Sequence, residues 1–209
     1  MLHGCGGYGE VAKRWAHDKA KAFLEQGYGV LAVDSFSPRG VEHTCNDSNT
    51  HWAWRRAEDA YSTLDWLIEK GLADKDSVYV MGRSGGGSAV LHASHYKMTM
   101  GHQNRFAGVF TVSPSCRVVE AQDLRLPIMI FIGDKDQAVN HIVCGTLRSD
   151  NIKMVLYRGV HHGYEDKGVT TTYRGWHLEY NQHADRDTVD QTLAIMKSKD
   201  AFRGGFEFR

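Results

Sequence analysis

The chain has 209 residues, of which 42% are apolar and 24% are charged, and its formal net charge is zero. This length suits one domain with a sizeable core, so we expect a single domain over residues 1–209. The balanced charge argues against a nucleic-acid partner, and no apolar run is long enough to predict a membrane span.

The first part of the chain predicts two helices and a strand. Apolar residues recur at helical spacing over residues 11–24, and Gly27 suits the position just past a helix end. The stretch 29–34 predicts a buried strand, and the turn residues of 35–50 predict a loop. A second helix ends near Gly71, with its apolar face formed by Ala57, Tyr61, Leu64 and Ile68.

The second part of the chain alternates apolar strands with helical patterns. The closing helix is expected over 184–197 with Val189, Leu193 and Met196 facing inward. Strands are predicted over 78–81, 108–112, 128–132 and 154–157. This alternation predicts an α/β fold, with a mostly parallel sheet and helices on both faces. Ligands of such sheets bind at the carboxyl ends of the strands.

The start of the sequence is unusual for this pattern. Only Met1 and Leu2 precede the glycine-rich segment 3–7, which ordinarily follows a full buried strand. The sequence therefore predicts that the N-terminal strands are missing or shortened, and it shows no export signal. We expect a soluble protein, cytoplasmic as the sequence stands, with an exported origin possible if the N-terminus is truncated. An exposed sheet edge would favour a homodimer.

A candidate nucleophile lies in Gly82-Arg83-Ser84-Gly85-Gly86, between a strand-like run and a helix predicted over 88–94. Gly-x-Ser-x-Gly in this context is typical of a nucleophile elbow, a strained turn that projects the serine above the sheet. The flanking glycines Gly82 and Gly86 let the backbone pass closely. The alternatives are a glycine-rich turn with an incidental serine and a phosphate-binding loop. Three further motifs favour Ser84 as a nucleophile.

A candidate acid follows the apolar run 128–132 in Gly133-Asp134-Lys135-Asp136. A carboxylate at the end of a strand can accept the Nδ1–H of a histidine and so hold its tautomer. Solvated acidic turns are also common at such positions. We prefer Asp136 because the acid usually comes three residues after the glycine, and Asp134 remains the alternative.

A candidate base lies in Val160-His161-His162-Gly163, after the last clear strand and before the closing helix. It completes the chain order Ser, Asp, His that is typical of α/β-hydrolases. A histidine with a near-neutral pKa can take the Ser84 proton and pass it to a leaving alkoxide. The following Gly163 favours His162, and His161 remains open.

The segment His3-Gly4-Cys5-Gly6-Gly7 predicts an oxyanion hole. Such a glycine-rich turn can point a backbone N–H at the developing oxyanion, with the N–H of Gly85 as the second donor. We assign the first donor to Cys5, with Gly6 as a neighbour that could share the task. A flexible N-terminal tail is the simpler alternative.

Together these motifs resemble the dienelactone hydrolase family of α/β-hydrolases. The resemblance also includes the stretch 27–36 and Pro38-Arg39-Gly40, so it covers nearly the whole chain. It implies a compact α/β-hydrolase that acts on small-molecule esters or lactones. The namesake enzymes use a cysteine nucleophile, whereas Ser84 here points to a serine esterase branch. Arg83 also departs from the family, since an aromatic residue often stands there.

These motifs lead to the hypothesis that the protein is a serine carboxylic-ester hydrolase. It would form an acyl-Ser84 intermediate and use no cofactor and no metal. The alternatives are a peptidase of the same fold and a catalytically silent relative that acts as a binding module. Arg83 or Arg39 could bind an acidic substrate group, although surface ion pairs are commoner. Trp52 and Trp54 could line an aromatic pocket or simply anchor a loop.

The cysteines and histidines allow further sites. One disulfide among Cys45, Cys116 and Cys144 is feasible, and the resemblance to exported family members supports it; buried reduced thiols are the alternative. Two histidine pairs do not make the three-ligand set of a catalytic zinc site. These pairs are His92 with His95 and His161 with His162.

Overall fold

The structure is a computed structural model that describes residues 1–47, 51–198 and 204–209. The last three residues of the predicted loop, 48–50, therefore lie outside the described part. The strands are β1 Tyr79–Arg83, β2 Gly108–Val112, β3 Ile128–Gly133, β4 Ile152–Tyr157, β5 Thr170–Tyr173, β6 Trp176–Glu179 and β7 Gly205–Phe208. The α-helices are α1 Glu10–Leu24, α2 His51–Glu69, α3 Gly85–Ala93, α4 Tyr96–Gly101, α5 His141–Cys144 and α6 Gln182–Lys197. No helix in these ranges is long and apolar enough to cross a membrane.

The main sheet has five parallel strands in the order β1-β2-β3-β4-β7. Strands β5 and β6 form a separate antiparallel hairpin. Because every strand of the main sheet runs the same way, the loops after β1, β3 and β4 all emerge at one edge. That edge brings the candidate serine, acid and histidine together. The prediction of a mostly parallel α/β sheet is confirmed.

The core consists of two apolar clusters, one on each face of the sheet. Successive side chains of a strand point to opposite faces, and β3 shows this directly. Ile128, Ile130 and Ile132 lie in the cluster that contains residues of α2 and α3, whereas Met129 and Phe131 lie in the cluster that contains residues of α1 and α6. Burial on both faces explains why the sequence of β3 is apolar without interruption.

The prediction of a buried strand over 29–34 is wrong. Among the described residues this segment forms one bridge, between Val33 and Leu2. Leu2 in turn bridges to Gly82 of β1, and Leu31 remains 37% exposed. Leu2 thus lies between Val33 and β1, and among the described residues the segment forms no longer ladder.

The closing helix differs from its prediction in the face that it buries. Val189, Leu193 and Met196 pack against the core but are only partly buried. Thr188 is fully buried. Its hydroxyl is satisfied there, because it lies 3.1 Å from the Tyr157 hydroxyl and 2.9 Å from the Tyr164 hydroxyl. The remaining buried residues of this helix are Ala184, Thr192 and Ile195. Paired hydroxyls therefore take inward positions that a purely apolar pattern assigns to other residues.

All four cysteines form disulfides. Cys116 pairs with Cys144, which agrees with the predicted bond among three cysteines. Cys45 instead pairs with Cys5, which the sequence analysis assigned only to the oxyanion hole. The Cys5–Cys45 bond joins the glycine-rich segment to the loop before α2, and the Cys116–Cys144 bond joins the segment after β2 to the end of α5.

Candidate active site

Ser84 stands on a sharp turn between β1 and α3. Its backbone has φ 49° and ψ −121°, a conformation that is strained for any residue with a side chain. The turn is held by a hydrogen bond from Ser84 N–H to Val112 O, 2.8 Å long. A Cβ added at Gly82 would lie 2.2 Å from Gly86 O, and one at Gly86 would lie 2.4 Å from Leu2 O. Only glycine therefore fits these two positions.

The structure brings the three candidate catalytic side chains into one hydrogen-bonded chain. Ser84 Oγ lies 3.1 Å from His162 Nε2, and His162 Nδ1 lies 2.7 Å from Asp136 Oδ2. The His162 and Asp136 side chains are almost completely buried, with 9% and 0% exposed. In this arrangement His162 can accept the Ser84 proton on Nε2 while Nδ1–H donates to Asp136.

The two alternatives for acid and base lie elsewhere. Asp134 Oδ1 accepts a hydrogen bond from Gly159 N–H at 2.7 Å, so it braces the start of the histidine loop. Asp136 Oδ1 accepts from the N–H groups of Ala138 and Val139, which leaves Oδ2 for His162. The His161 ring lies edge-on against His177. Asp136 and His162, and not Asp134 and His161, are therefore the side chains that are hydrogen-bonded in line with Ser84.

Buried charges around His162 set its proton affinity. Burial alone lowers the pKa of His162, but the hydrogen bond and charge of Asp136, helped by Glu165, outweigh it, so the pKa lies above its ordinary value. Arg83 acts in the opposite direction. The imidazolium that forms when His162 takes a proton is thus stabilised within the site.

The glycine-rich segment places the Cys5 amide beside the elbow. A Cβ added at Gly85 would lie 3.1 Å from Cys5 N, so the backbones of these two residues are in close contact. Gly6 is exposed and has open space around its Cα. The segment is held by the disulfide of Cys5 and by a hydrogen bond from Thr44 N–H to Cys5 O, 2.8 Å long.

Arg56 supports the same segment from α2, a role that the sequence analysis missed. Its guanidinium is buried and donates to His3 O. Burial lowers the pKa of Arg56 to about 10, so the group still carries its charge at neutral pH. Burial and the Arg56 charge lower the pKa of His3 to about 4, so His3 is neutral. An arginine on a helix carries no local signal of such a contact, because its acceptor lies 53 residues away.

For Arg83 the structure favours the ion-pair alternative over substrate binding, although the pair is buried and not at the surface. Arg83 is buried and forms a bidentate ion pair with Asp166, while its Nε lies 3.0 Å from Glu165 Oε1. Its guanidinium carbon also lies 5.7 Å from the centre of the Trp15 ring. Arg83 therefore ties the elbow strand to the segment that follows His162.

Arg39 and the two tryptophans are engaged in packing. Arg39 forms a bidentate pair with Asp59, at 2.6 and 2.9 Å. Trp54 packs edge-on against His92 of α3 and against His95, which lies between α3 and α4. Trp52 packs edge-on against Phe36. These contacts favour the anchoring alternative for Trp54 and leave Arg39 as an ion-pair partner.

The β5–β6 hairpin lies beside the site and was not predicted. Leu178 of β6 bridges to His162, and Arg174 in the turn donates to Cys45 O. The signal was present in the sequence, since Arg174-Gly175 separates two short stretches of strand-forming residues. Both turn residues have positive φ, 56° and 84°, as a two-residue hairpin turn requires.

Comparison with known proteins supports the fold and the class of chemistry. The model of the dienelactone hydrolase family matches residues 4–199. A solved structure of a candidate dienelactone hydrolase from Klebsiella pneumoniae subsp. pneumoniae MGH 78578 is 16% identical and superposes with a TM-score of 0.70, covering 94% of this chain and 85% of that one. The carboxylesterase Cest-2923 from Lactobacillus plantarum WCFS1 gives 0.63 at 13% identity, covering 95% and 84%.

A curated relative belongs to another class of hydrolase. Dipeptidyl aminopeptidase BIII of Pseudoxanthomonas mexicana is 30% identical over 90 residues, which make up 43% of this chain and 12% of that protein. The chain thus spans a small part of the length of this relative. At the identities of the two solved structures, the superpositions show the fold alone.

Proposed function

Since this chain belongs to the dienelactone hydrolase family, we propose that it is a serine carboxylic-ester hydrolase for small esters or lactones. The observation that carries the proposal is the chain of hydrogen bonds from Ser84 Oγ through His162 to Asp136. A serine hydroxyl is a poor nucleophile until an adjacent base accepts its proton, and His162 is placed to do so.

In the proposed first step, Ser84 Oγ attacks the ester carbonyl carbon. Its proton passes to His162 Nε2, and Asp136 stabilises the imidazolium through Nδ1–H. The ester C–O bond then breaks, His162 returns the proton to the leaving alkoxide, and the acyl group remains on Ser84. A lactone would react in the same way, with its alcohol still attached to the acyl group.

In the second step, water replaces the alcohol. His162 takes a proton from the water, the hydroxide attacks the acyl-Ser84 carbonyl, and Ser84 leaves with that proton. In both steps the carbonyl oxygen becomes negative. The backbone N–H groups of Cys5 and Gly85 are the proposed donors to it, and the loss of one such donor typically costs about 3–4 kcal/mol of barrier.

Hydrolysis of short p-nitrophenyl esters tests this function. We expect turnover by the wild-type protein and its loss in Ser84→Ala, because no other nucleophile takes part. Aminoacyl p-nitroanilides test the peptidase alternative, which the similarity to dipeptidyl aminopeptidase BIII favours. Faster cleavage of the anilides would shift the proposal to a peptidase. A folded wild-type protein without either activity would favour the silent binding module.

The proposal extends to surroundings and assembly. Two disulfides, Cys5–Cys45 and Cys116–Cys144, suit an oxidising compartment, so we propose that the protein works outside the reducing cytosol.

The outer edge of β1 pairs only with Leu2 among the described residues. A homodimer that covers this edge is therefore proposed. A sedimentation measurement that gives a monomer would contradict it.

A further inference from the structure

The β5–β6 hairpin brings two metal-binding side chain types next to His161. His177 and Glu179 are two residues apart on β6, so their side chains lie on the same face of the hairpin. The His161 ring meets the His177 ring edge-on, with 4.6 Å between ring centres. One ligand atom from each of the three side chains lies within 4.8 Å of the other two.

Two polar groups of this cluster are incompletely satisfied by the described residues. His161 Nδ1 is buried and has no hydrogen-bond partner among residues 1–47, 51–198 and 204–209. A buried polar atom without a partner is destabilising, so its presence calls for a ligand or another explanation. The Glu179 carboxylate lies 3.2 Å from His177 Nε2, and no lysine or arginine of the described residues forms an ion pair with it. A cation between the three side chains would give His161 Nδ1 a partner and would neutralise the charge of the Glu179 carboxylate.

We propose that His161, His177 and Glu179 bind a divalent transition-metal ion. Two imidazoles and one carboxylate form a donor set that suits zinc, with the fourth position left to water. Zinc ligands lie about 2.0–2.2 Å from the ion, so ligand atoms that are separated by as much as 4.8 Å must move closer when the ion binds. Glu179 has half of its side chain exposed and is free to turn towards the two rings.

The ion has a structural role in this proposal, and it supplies no nucleophile. Leu178, between two of the ligands, bridges to His162, and His177 N–H donates to Gln137 Oε1 at 2.9 Å. The hairpin thus already contacts the loops that carry the candidate base and acid. A metal bound to His161 and to β6 would fasten the hairpin to these loops.

Zinc binding to the intact protein tests the proposal directly. Protein freed of metal with EDTA is titrated with zinc chloride in a calorimeter, and its melting temperature is measured with and without zinc. We expect one zinc ion per chain and a higher melting temperature. His177→Ala should weaken binding at least about tenfold and abolish the thermal shift. The matched control is His17→Ala, which removes an exposed histidine of α1 and should bind zinc like the wild type.

The outcomes separate this site from other histidines and from the proposed hydrolase activity. Glu179→Gln serves as a second variant because its side chain is half exposed, so its loss should not prevent folding. A wild-type protein that binds no zinc would overturn the proposal. So would His177→Ala and Glu179→Gln variants that bind zinc like the wild type, as they would if the ion sat on His162 and Asp136. Binding is measured without substrate, so failure of the esterase assay leaves this test intact.

Discussion

Ser84 occupies a backbone conformation that a serine adopts only under constraint. Its positive φ costs about 1–3 kcal/mol, and the bond from its N–H to Val112 O and the close glycine contacts hold it in place. The conformation aims Oγ at His162 Nε2. The pattern Gly-x-Ser-x-Gly predicted this turn because its two glycines are a local steric requirement. The ion pair of Arg83 had no such signal, since Asp166 lies 83 residues away.

At the residue scale, Asp136→Asn tests the assignment of the acid. An amide in place of the carboxylate cannot hold the same His162 tautomer or stabilise the imidazolium. We expect kcat for p-nitrophenyl esters to fall by about 10⁴ with little change in melting temperature. The matched control is Asp134→Asn. The Asp134 carboxylate accepts a hydrogen bond from Gly159 N–H and is not hydrogen-bonded to His162, so this variant should keep kcat within a few fold of the wild type. An equal loss in both variants would remove the distinction between the two carboxylates.

The pH profile of kcat/KM tests the environment of His162. His162 acts as a base only when neutral, so activity should rise with pH through its pKa. The acid limb should lie above the ordinary histidine value of 6.5, because Asp136 and Glu165 outweigh the effect of burial. Glu165→Gln removes a negative charge and should move the limb to lower pH. An unmoved limb in Glu165→Gln, or one moved equally by the exposed-site variant Glu120→Gln, would contradict this account.

At the element scale, the site depends on how closely three backbone segments approach one another. The elbow, the glycine-rich segment and the carboxyl end of β1 meet at Gly86, where a Cβ would lie 2.4 Å from both Leu2 O and His3 O. The sequence predicted the role of the glycines, but it did not predict that the Arg56 guanidinium donates a hydrogen bond to His3 O. It also gave no sign that Cys45 pairs with Cys5, because cysteine pairing depends on the path of the intervening loop.

Gly86→Ala tests this close approach. The added methyl group would force two backbone carbonyls to move, so we expect a loss of about 1–3 kcal/mol of unfolding free energy and a marked fall in turnover. Urea unfolding and ester hydrolysis provide the two measurements. Gly29→Ala is the matched control, because its φ is not positive and the space around its Cα is open. A stable and fully active Gly86→Ala variant would refute the proposed packing.

At the scale of the whole molecule, two ionic contacts connect elements that are far apart in the sequence. Arg83 joins β1 to Glu165 and Asp166 beyond the histidine loop. Lys19 of α1 forms an ion pair with Asp185 of α6, on the face that carries the second apolar cluster. Strands with uninterrupted apolar runs could be predicted, because burial on both faces leaves a local signature. The pairing of segment 29–34 could not be predicted, because its bridge partner Leu2 is distant in the sequence and leaves no local signature.

Arg83→Met tests the buried ion pair at this scale. Removal of the guanidinium leaves Glu165 and Asp166 buried without their cation, so we expect a loss of about 3–5 kcal/mol of unfolding free energy. Arg39→Met is the matched control, since its pair with Asp59 is partly exposed and should be worth at most about 1 kcal/mol. Equal losses in the two variants, measured by urea unfolding, would show that burial does not distinguish the pairs.

Covalent labelling with a fluorophosphonate is the most direct test of the proposal that Ser84 is an activated nucleophile. The reagent phosphonylates a serine whose proton is taken by a neighbouring base. Intact-mass measurement followed by peptide mapping should show one adduct per chain, located on Ser84, with little labelling of His162→Ala and none of Ser84→Ala. A folded wild-type protein that remains unlabelled, or that carries its adduct on another residue, would contradict the account.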